Sequence, residues 1–225
     1  MNLNIFGFSN PLLLQRPRLI WLQIGLVLNK ITAPKFGPRA LGNRSILADA
    51  LSTEMQKNLN LKVKFRESFR PFAPVILEED VSQWFDFKGS SPYMLMVDGL
   101  KSEHRITLSD QQKGLFGIDL LNVAKSKIAA VTHVDYSARL QTVSQQTNPL
   151  LHALLTKFKE LTGVGVLVNT SFNIRGEPIV CTVEQAYHCF MGTDLDVLVV
   201  GNLVLHKSAQ DKNKVLDGRS QFELD

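Results

Sequence analysis

The sequence predicts a mixed fold of the α/β or α+β class. Three observations support this class: helix and strand patterns alternate along the chain, about seven strands and four or five helices are expected, and no internal repeat is present. A chain of 225 residues with 44% hydrophobic residues can bury a substantial core. We therefore expect one large domain, with or without a tail, built on a sheet flanked by helices.

The first half of the chain contains short elements. Residues 50–59 carry apolar side chains four positions apart, which predicts a helix. A short buried strand is expected at residues 75–77. It precedes a helix over residues 78–85, whose acidic start suits a helix N-terminus. Residues 93–97 read as an apolar strand, and the polar stretch 101–125 predicts a surface loop.

The second half carries clearer boundary signals. Residues 128–134 are rich in β-branched side chains and predict a strand. Asn148 and Pro149 form a favourable N-cap and first helical residue, and Gly163 ends the helix that they start.

Two further elements are expected near the end of the chain. Residues 182–185 resemble a capping box at the start of a helix that runs to Met191. Gly201 and Asn202 predict a hairpin turn between two strands. These strands cover residues 197–200 and 203–205.

Charge and cysteine content exclude several function classes. The formal net charge is only +4, which disfavours nucleic acid as a partner. Cys181 and Cys189 are too few for a disulfide framework or a metal knuckle, and a reducing cytoplasmic setting fits them. The histidines lack metal-ligand spacing, so no protein-held metal is expected: His104, His133, His152, His188 and His206.

The first 35 residues contain an apolar run at residues 19–28 that includes Gln23. The run is too short to span a bilayer, and it lacks the charged start and cleavage site of a signal peptide. The sequence therefore predicts no membrane association.

A candidate ligand-binding unit follows the apolar run at residues 164–168. That run predicts a buried strand, which would deliver Ser171 and Asn173 at its C-terminal end, where ligands often bind in α/β folds. The alternative is a polar turn that satisfies its own backbone, with Arg175 and Glu177 pairing locally.

A cationic segment lies about a hundred residues earlier. If residues 64–70 are extended, Lys64, Arg66 and Arg70 face one side, and Phe65 and Phe69 anchor the other side in the core. Fixed arginine and lysine side chains suit phosphate groups. The alternative is a solvated basic sheet edge that opposes aggregation.

These two segments carry a resemblance to a known family. Lys64 and Arg66 followed by Ser171 and Asn173 resemble the signature of the YrdC-type nucleotide-binding fold. The longer context resembles O-carbamoyltransferases of the NodU/CmcH type. Five blocks occur in that family's order, at residues 36–49, 64–74, 133–143, 169–173 and 176–180.

The resemblance implies a domain organisation. Residues 36–206 would form a YrdC-like C-terminal domain with a twisted mixed sheet flanked by helices. Residues 207–225 would be a polar tail. Residues 1–35 would be a non-family segment at a truncation junction, with an unusual N-terminal extension as the alternative. Members of the family also carry an N-terminal Kae1-like domain with the metal and acceptor sites, which would be missing here or separately encoded.

The resemblance also implies an activity. The domain would form carbamoyl adenylate from ATP and carbamoyl phosphate, with Mg²⁺ carried by ATP, for biosynthetic transfer to a hydroxyl acceptor. Lys64, Arg70 and Arg139 would be catalytic. The nucleotide and carbamoyl phosphate would be bound by Lys64, Arg66, Arg70, Arg139, Ser171 and Asn173.

Alternatives remain open at this point. Arg139 could instead pair with Asp135, and His133 fits a structural histidine better than a catalytic base. The chain could be a YrdC-type nucleotide- or RNA-binding module, or an inactive remnant without transfer activity. RNA recognition requires exposed stacking aromatics, whereas Phe65 and Phe69 are expected to be buried.

Overall fold

The computed structural model describes residues 6–7, 24–27, 37–121 and 123–211. The predicted tail falls mostly outside these residues. The chain divides into two compact units. The first contains residues 1–48, 59–67 and 169–225, and the second contains residues 49–58 and 68–168.

The strands of the described residues are β1 (Phe6–Gly7), β2 (Ile24–Val27), β3 (Arg44–Asp49), β4 (Ala73–Leu77), β5 (Met96–Gly99), β6 (Ser137–Val143), β7 (Val166–Ser171), β8 (Val197–Val200) and β9 (Leu203–His206). The α-helices are α1 (Met55–Asn58), α2 (Val81–Trp84), α3 (Asp110–Lys113), α4 (Ile118–Leu121), α5 (Pro149–Thr162) and α6 (Val183–Met191).

The first unit is built on a mixed sheet. Its strands follow the order β1-β9-β8-β2-β3-β7, where β7 contributes its last residues. β2 runs parallel to β8 and antiparallel to β3, and β8 and β9 form an antiparallel hairpin. Helix α6 packs on β8 and β2 and buries Cys189 and Phe190. This sheet brings the C-terminal end of β7 beside β3.

The second unit has its own sheet segment. β7, whose first residues belong to this unit, neighbours β4, and the order continues through β6 to β5. β4 and β6 are parallel, and β5 and β6 are antiparallel. Helix α5 packs on β4 and fully buries Leu151 and Leu155. Asn148 accepts a hydrogen bond from the Leu151 amide at 3.2 Å, and Gly163 ends the helix at φ +81°.

The predicted mixed α/β class, with a mixed sheet flanked by helices, is confirmed. The strand at β4, both boundaries of α5, the capping box at Thr182 and Gln185, and the β8–β9 hairpin follow the predicted pattern. Each of these rests on a short-range signal that the chain carries locally.

Three element predictions are wrong. Residues 128–134 form a 3₁₀ turn at Ala129–Val131 instead of a strand, and the strand follows at β6. Ile128 and Val131 are buried in the core, which explains the apolar run although these residues do not pair with a neighbouring strand. The helix expected over residues 50–59 is α-helical only at α1, and it is followed by a π-helix at Leu59–Val63. The 101–125 loop contains α3, whose N-cap Ser109 forms a capping box.

Candidate functional site

Lys64 lies at the centre of a polar cluster in the first unit. Its Nζ is 2.6 Å from the carbonyl oxygen of Ser171 and 3.3 Å from the Ser171 hydroxyl. The same ammonium is 2.9 Å from the carbonyl oxygen of Asn173 and 2.8 Å from its side-chain Oδ1. The structure therefore brings together Lys64, Ser171 and Asn173, which the sequence separates by more than a hundred positions.

The backbone around Lys64 explains its inward direction. The π-helix Leu59–Val63 ends where the Lys64 amide donates to the Leu59 carbonyl at 2.8 Å. Phe65 then takes a positive φ of 49°, which turns the chain sharply, and the Lys64 carbonyl accepts from the Arg175 amide at 3.2 Å. π-helical turns are rare and often occur at functional sites. Lys64 is consequently only 4% exposed.

The Ser171–Asn173 segment is held by its own neighbours. The Ser171 hydroxyl donates to Asn173 Oδ1 at 2.6 Å, and the Asn173 Nδ2 donates to the Glu177 carbonyl at 2.6 Å. Glu177 Oε2 accepts from the Ile174 amide at 2.9 Å. Gly176 closes the turn with φ +76°, a region that favours glycine. The segment is thus preorganised before any ligand binds.

Burial controls the electrostatics of this cluster. It lowers the pKa of Lys64 to about 7, with a further lowering from Arg66, while Cys189 and Glu177 oppose the shift. Burial likewise raises the pKa of the Glu177 carboxyl, and hydrogen bonds from the Ile174 amide and from Cys189 oppose that shift. Burial also raises the pKa of the Cys189 thiol. The cluster therefore contains a lysine that titrates near neutral pH.

Further arginines lie in the same unit as Lys64. Arg66 Nε donates to Oδ1 of the buried Asn60 at 2.7 Å, which fixes its side chain. Arg175 Nη1 lies 3.9 Å from Glu67 Oε1, so Arg175 forms an ion pair with a residue that is far from it in the sequence. Arg44, at the start of β3, donates to the Val180 carbonyl at 3.1 Å. Guanidinium groups of this kind suit anionic ligands.

The expectation that residues 64–70 form an extended strand is wrong. No strand is assigned between the end of the π-helix and β4. Because the chain turns at Phe65, Lys64 points inward while Phe69 is 47% exposed. Phe72, rather than Phe69, is the aromatic residue of this segment that lies in the core.

Arg70 and Arg139 belong to the second unit. Arg70 is exposed, and its carbonyl accepts from Gln56 Nε2 at 3.3 Å. Arg139 is half-buried on β6, opposite Val97 of β5. Asp135 Oδ1 accepts from the Ser137 amide at 2.9 Å, so that carboxylate is engaged by its own turn. Burial lowers the pKa of His133, which keeps the ring neutral near pH 7.

Two features of the cluster were not predicted. Cys189 contacts Glu177 through a hydrogen bond, and Asn60 holds Arg66. Neither residue belongs to a motif with diagnostic spacing, so only the tertiary structure places them there. Over the described ranges, no group of three or more metal-ligating side chains is found.

Comparison with known proteins decides the family. The sequence model described as "Carbamoyltransferase C-terminus" matches residues 25–207. The chain belongs to the carbamoyltransferase C-terminal family. The match begins before Phe36, the first residue of the five sequence blocks, and it includes β3, the Lys64 segment and the Ser171–Asn173 segment.

Several curated relatives share this region. The chain is 54% identical over 192 residues to an uncharacterised protein of Synechocystis, covering 85% of this chain and 31% of the relative. It is 43% identical to nodulation protein NolO of Bradyrhizobium diazoefficiens, covering 83% and 31%. It is 38% identical to the 3'-hydroxymethylcephem-O-carbamoyltransferase of Streptomyces clavuligerus, covering 75% and 28%.

The chain thus spans between a quarter and a third of the length of the first relatives that it matches. The helices that the structure describes include none that is both long and apolar enough to cross a bilayer.

Proposed function

We propose that this chain is the adenylate-forming part of an O-carbamoyltransferase. It binds ATP, with Mg²⁺ carried by the nucleotide, together with carbamoyl phosphate, and it forms carbamoyl adenylate. The observation that carries the proposal is the convergence of Lys64 on Ser171 and Asn173 in a chain of the carbamoyltransferase C-terminal family.

The proposed chemistry depends on charge placement. Attack of water on the phosphorus of carbamoyl phosphate breaks its bond to the carbamate oxygen and releases inorganic phosphate and carbamate. A carbamate oxygen then attacks the α-phosphorus of ATP. The bond from that phosphorus to the bridging oxygen breaks, and pyrophosphate leaves with its electrons. The protein's task is to position the two anions and to neutralise their charge.

The geometry refines the role of Lys64. An ammonium has three protons, and four oxygen atoms of Ser171 and Asn173 lie within 3.3 Å of it. We infer that Lys64 acts from behind the Ser171–Asn173 segment: it fixes that segment and supplies positive potential. Within the first unit, Ser171 and Asn173 then face the nucleotide, and Arg66 is a proposed phosphate partner. Arg70 and Arg139, in the second unit, are proposed phosphate and carbamoyl partners on the family resemblance alone.

Transfer to a hydroxyl acceptor is a further part of the proposal. The relatives are much longer than this chain, and one of them is named as a carbamoyltransferase acting on a hydroxymethyl group. We infer that transfer draws on a Kae1-like N-terminal domain in the region that this chain does not match. The use of ATP and the two free cysteines fit a cytoplasmic biosynthetic role.

The deciding experiment measures pyrophosphate release from ATP in the presence and absence of carbamoyl phosphate, alongside calorimetric ATP binding. We expect release that depends on carbamoyl phosphate. Lys64→Met should weaken ATP binding by about tenfold or more, because a charge-assisted network is lost. Lys62→Met, a neighbouring exposed lysine, is the matched control and should bind normally.

One observation favours the second candidate, an RNA-binding module. Phe69 is exposed next to the exposed Arg70, which is the kind of pair that can stack on and neutralise a nucleotide chain. Titration with single-stranded RNA separates the two functions. Tight RNA binding together with absent pyrophosphate release would reject the adenylate proposal and support the RNA-binding one.

A further inference from the structure

The second unit contains a cavity of about 530 Å³, a volume typical of small-molecule sites. Its lining combines two kinds of surface. The apolar part includes Phe69 and Pro71, and the polar part includes Gln56, Lys125, His133 and Asp135. None of the residues assigned to the proposed nucleotide site lines this cavity.

Lys125 is the unusual member of the lining. It is only 6% exposed, yet within the described part of the chain its side chain has no hydrogen-bond or ion-pair partner. Asp135 lines the same cavity, but it forms no ion pair with Lys125. A buried lysine without a counter-charge is costly, and burial lowers its pKa accordingly. An anion in the cavity would relieve this cost.

The position of Lys125 is fixed by the fold. Its carbonyl accepts from the Ile106 amide at 2.7 Å, and the next residue, Ser126, bridges to Arg105. The Ser126 hydroxyl lies 2.7 Å from Thr132 Oγ1 and is itself buried. A backbone anchored on both sides does not relax easily, so the lysine stem is held at the cavity.

His133 is a second polar residue in the lining of the same cavity. His133 Nδ1 lies 3.1 Å from the Ser137 hydroxyl, and the His133 amide donates to the Ser137 carbonyl at 2.9 Å. The remaining ring nitrogen, Nε2, has no partner among the residues that the structure describes. The amide of Gln56 is already used, because it donates to the carbonyls of Phe69 and Arg70 at 3.2 and 3.3 Å.

These observations assign a ligand class to the cavity. We propose that it binds a small organic anion whose phosphate or carboxylate group contacts Lys125 and whose flat apolar part packs on Phe69 and Pro71. His133 supplies a neutral hydrogen-bonding group beside the anion. The site is distinct in its residues from the Lys64 cluster, so the inference does not depend on the proposed function.

Calorimetry with three probes tests this inference on the full chain: phenyl phosphate, benzoate and inorganic phosphate. Phenyl phosphate or benzoate should bind, and the tighter of the two identifies the anionic group. Lys125→Met should weaken that binding by about tenfold or more, the loss expected for a charge-assisted contact. Lys127→Met, an exposed lysine two positions away, should leave it unchanged.

Two further measurements guard against misfolding. Lys125→Met should unfold at a temperature close to that of the wild type, because the Lys125 side chain forms no hydrogen bond or ion pair with the described residues that the variant would lose. Phe69→Ala should weaken phenyl phosphate more than inorganic phosphate, because only the former has a ring to pack. Absence of binding by all three probes, or equal binding by the wild type and Lys125→Met, overturns the proposal. Loss of ATP binding in Lys64→Met has no bearing on it.

Discussion

Lys64 Nζ lies 2.8 Å from Asn173 Oδ1, although 109 positions separate the two residues in the chain. The contact joins a π-helical turn to the end of β7 inside one compact unit. It is partly buried, and it links the two segments that carry the family resemblance. The stability of the site and its ligand binding should therefore change together when this contact is removed.

The first prediction concerns the folding role of Lys64. Lys64→Met should lower the free energy of unfolding by about 1–3 kcal/mol, because partly buried acceptors of Ser171 and Asn173 lose their donor. Urea denaturation followed by circular dichroism measures the change. Lys62→Met should leave the stability nearly unchanged, since Lys62 is exposed. Equal stability of Lys64→Met and the wild type would show that the network is not structural.

The second prediction concerns pH. Burial holds the pKa of Lys64 at about 7 in the folded protein, below its ordinary value of 10.5. Between these two values the unfolded chain binds more protons, so the contribution of Lys64 to stability rises with pH. The wild type should therefore gain stability relative to Lys64→Met between about pH 7 and about pH 10. Parallel stability profiles of the two proteins would contradict the assignment.

The third prediction separates backbone strain in the site from strain elsewhere. Gly176→Ala and Gly163→Ala each place a side chain at positive φ and should each cost about 1–2 kcal/mol of stability. Only Gly176 lies in the turn that holds Asn173 against Glu177. Gly176→Ala should therefore also weaken ATP binding, whereas Gly163→Ala should not. Calorimetry on both variants checks the difference, and matching ATP affinities would argue against a preorganised turn.

The sequence predicted the parts of the fold that depend on local signals. Asn148, Gly163 and Thr182 mark helix ends because capping uses groups a few residues away. The strand at residues 128–134 was wrong because an apolar run indicates burial rather than a particular backbone. The wrong strand at residues 64–70 had a different cause: alternation of charged and aromatic residues cannot reveal the positive φ at Phe65.

The candidate site was predicted in a similarly uneven way. The pairing of Lys64 with Ser171 and Asn173 came from a family resemblance, since periodicity carries no information across a hundred residues. The contact between Glu177 and Cys189 was not predicted, because it depends on how α6 packs against the unit's sheet. Lys125 was missed for the same reason: within a polar stretch it reads as a surface lysine, and burial is a tertiary property.

The last prediction concerns β5, the outermost of the described strands in the second unit's sheet segment. Apolar side chains are exposed on β5 and just before it, at 64% for Tyr93, 69% for Leu95 and 57% for Val97. Exposed apolar edges favour pairing with other chains. We therefore expect the purified chain to self-associate.

The double variant Leu95→Lys with Val97→Lys should reduce that association in sedimentation velocity, because charge on an edge opposes pairing. Leu150→Lys places the same charge at another exposed leucine, 52% exposed on α5, and should leave the association unchanged. If Leu150→Lys reduces association as strongly as the double variant, the effect comes from added net charge, and the β5 edge is not the contact surface.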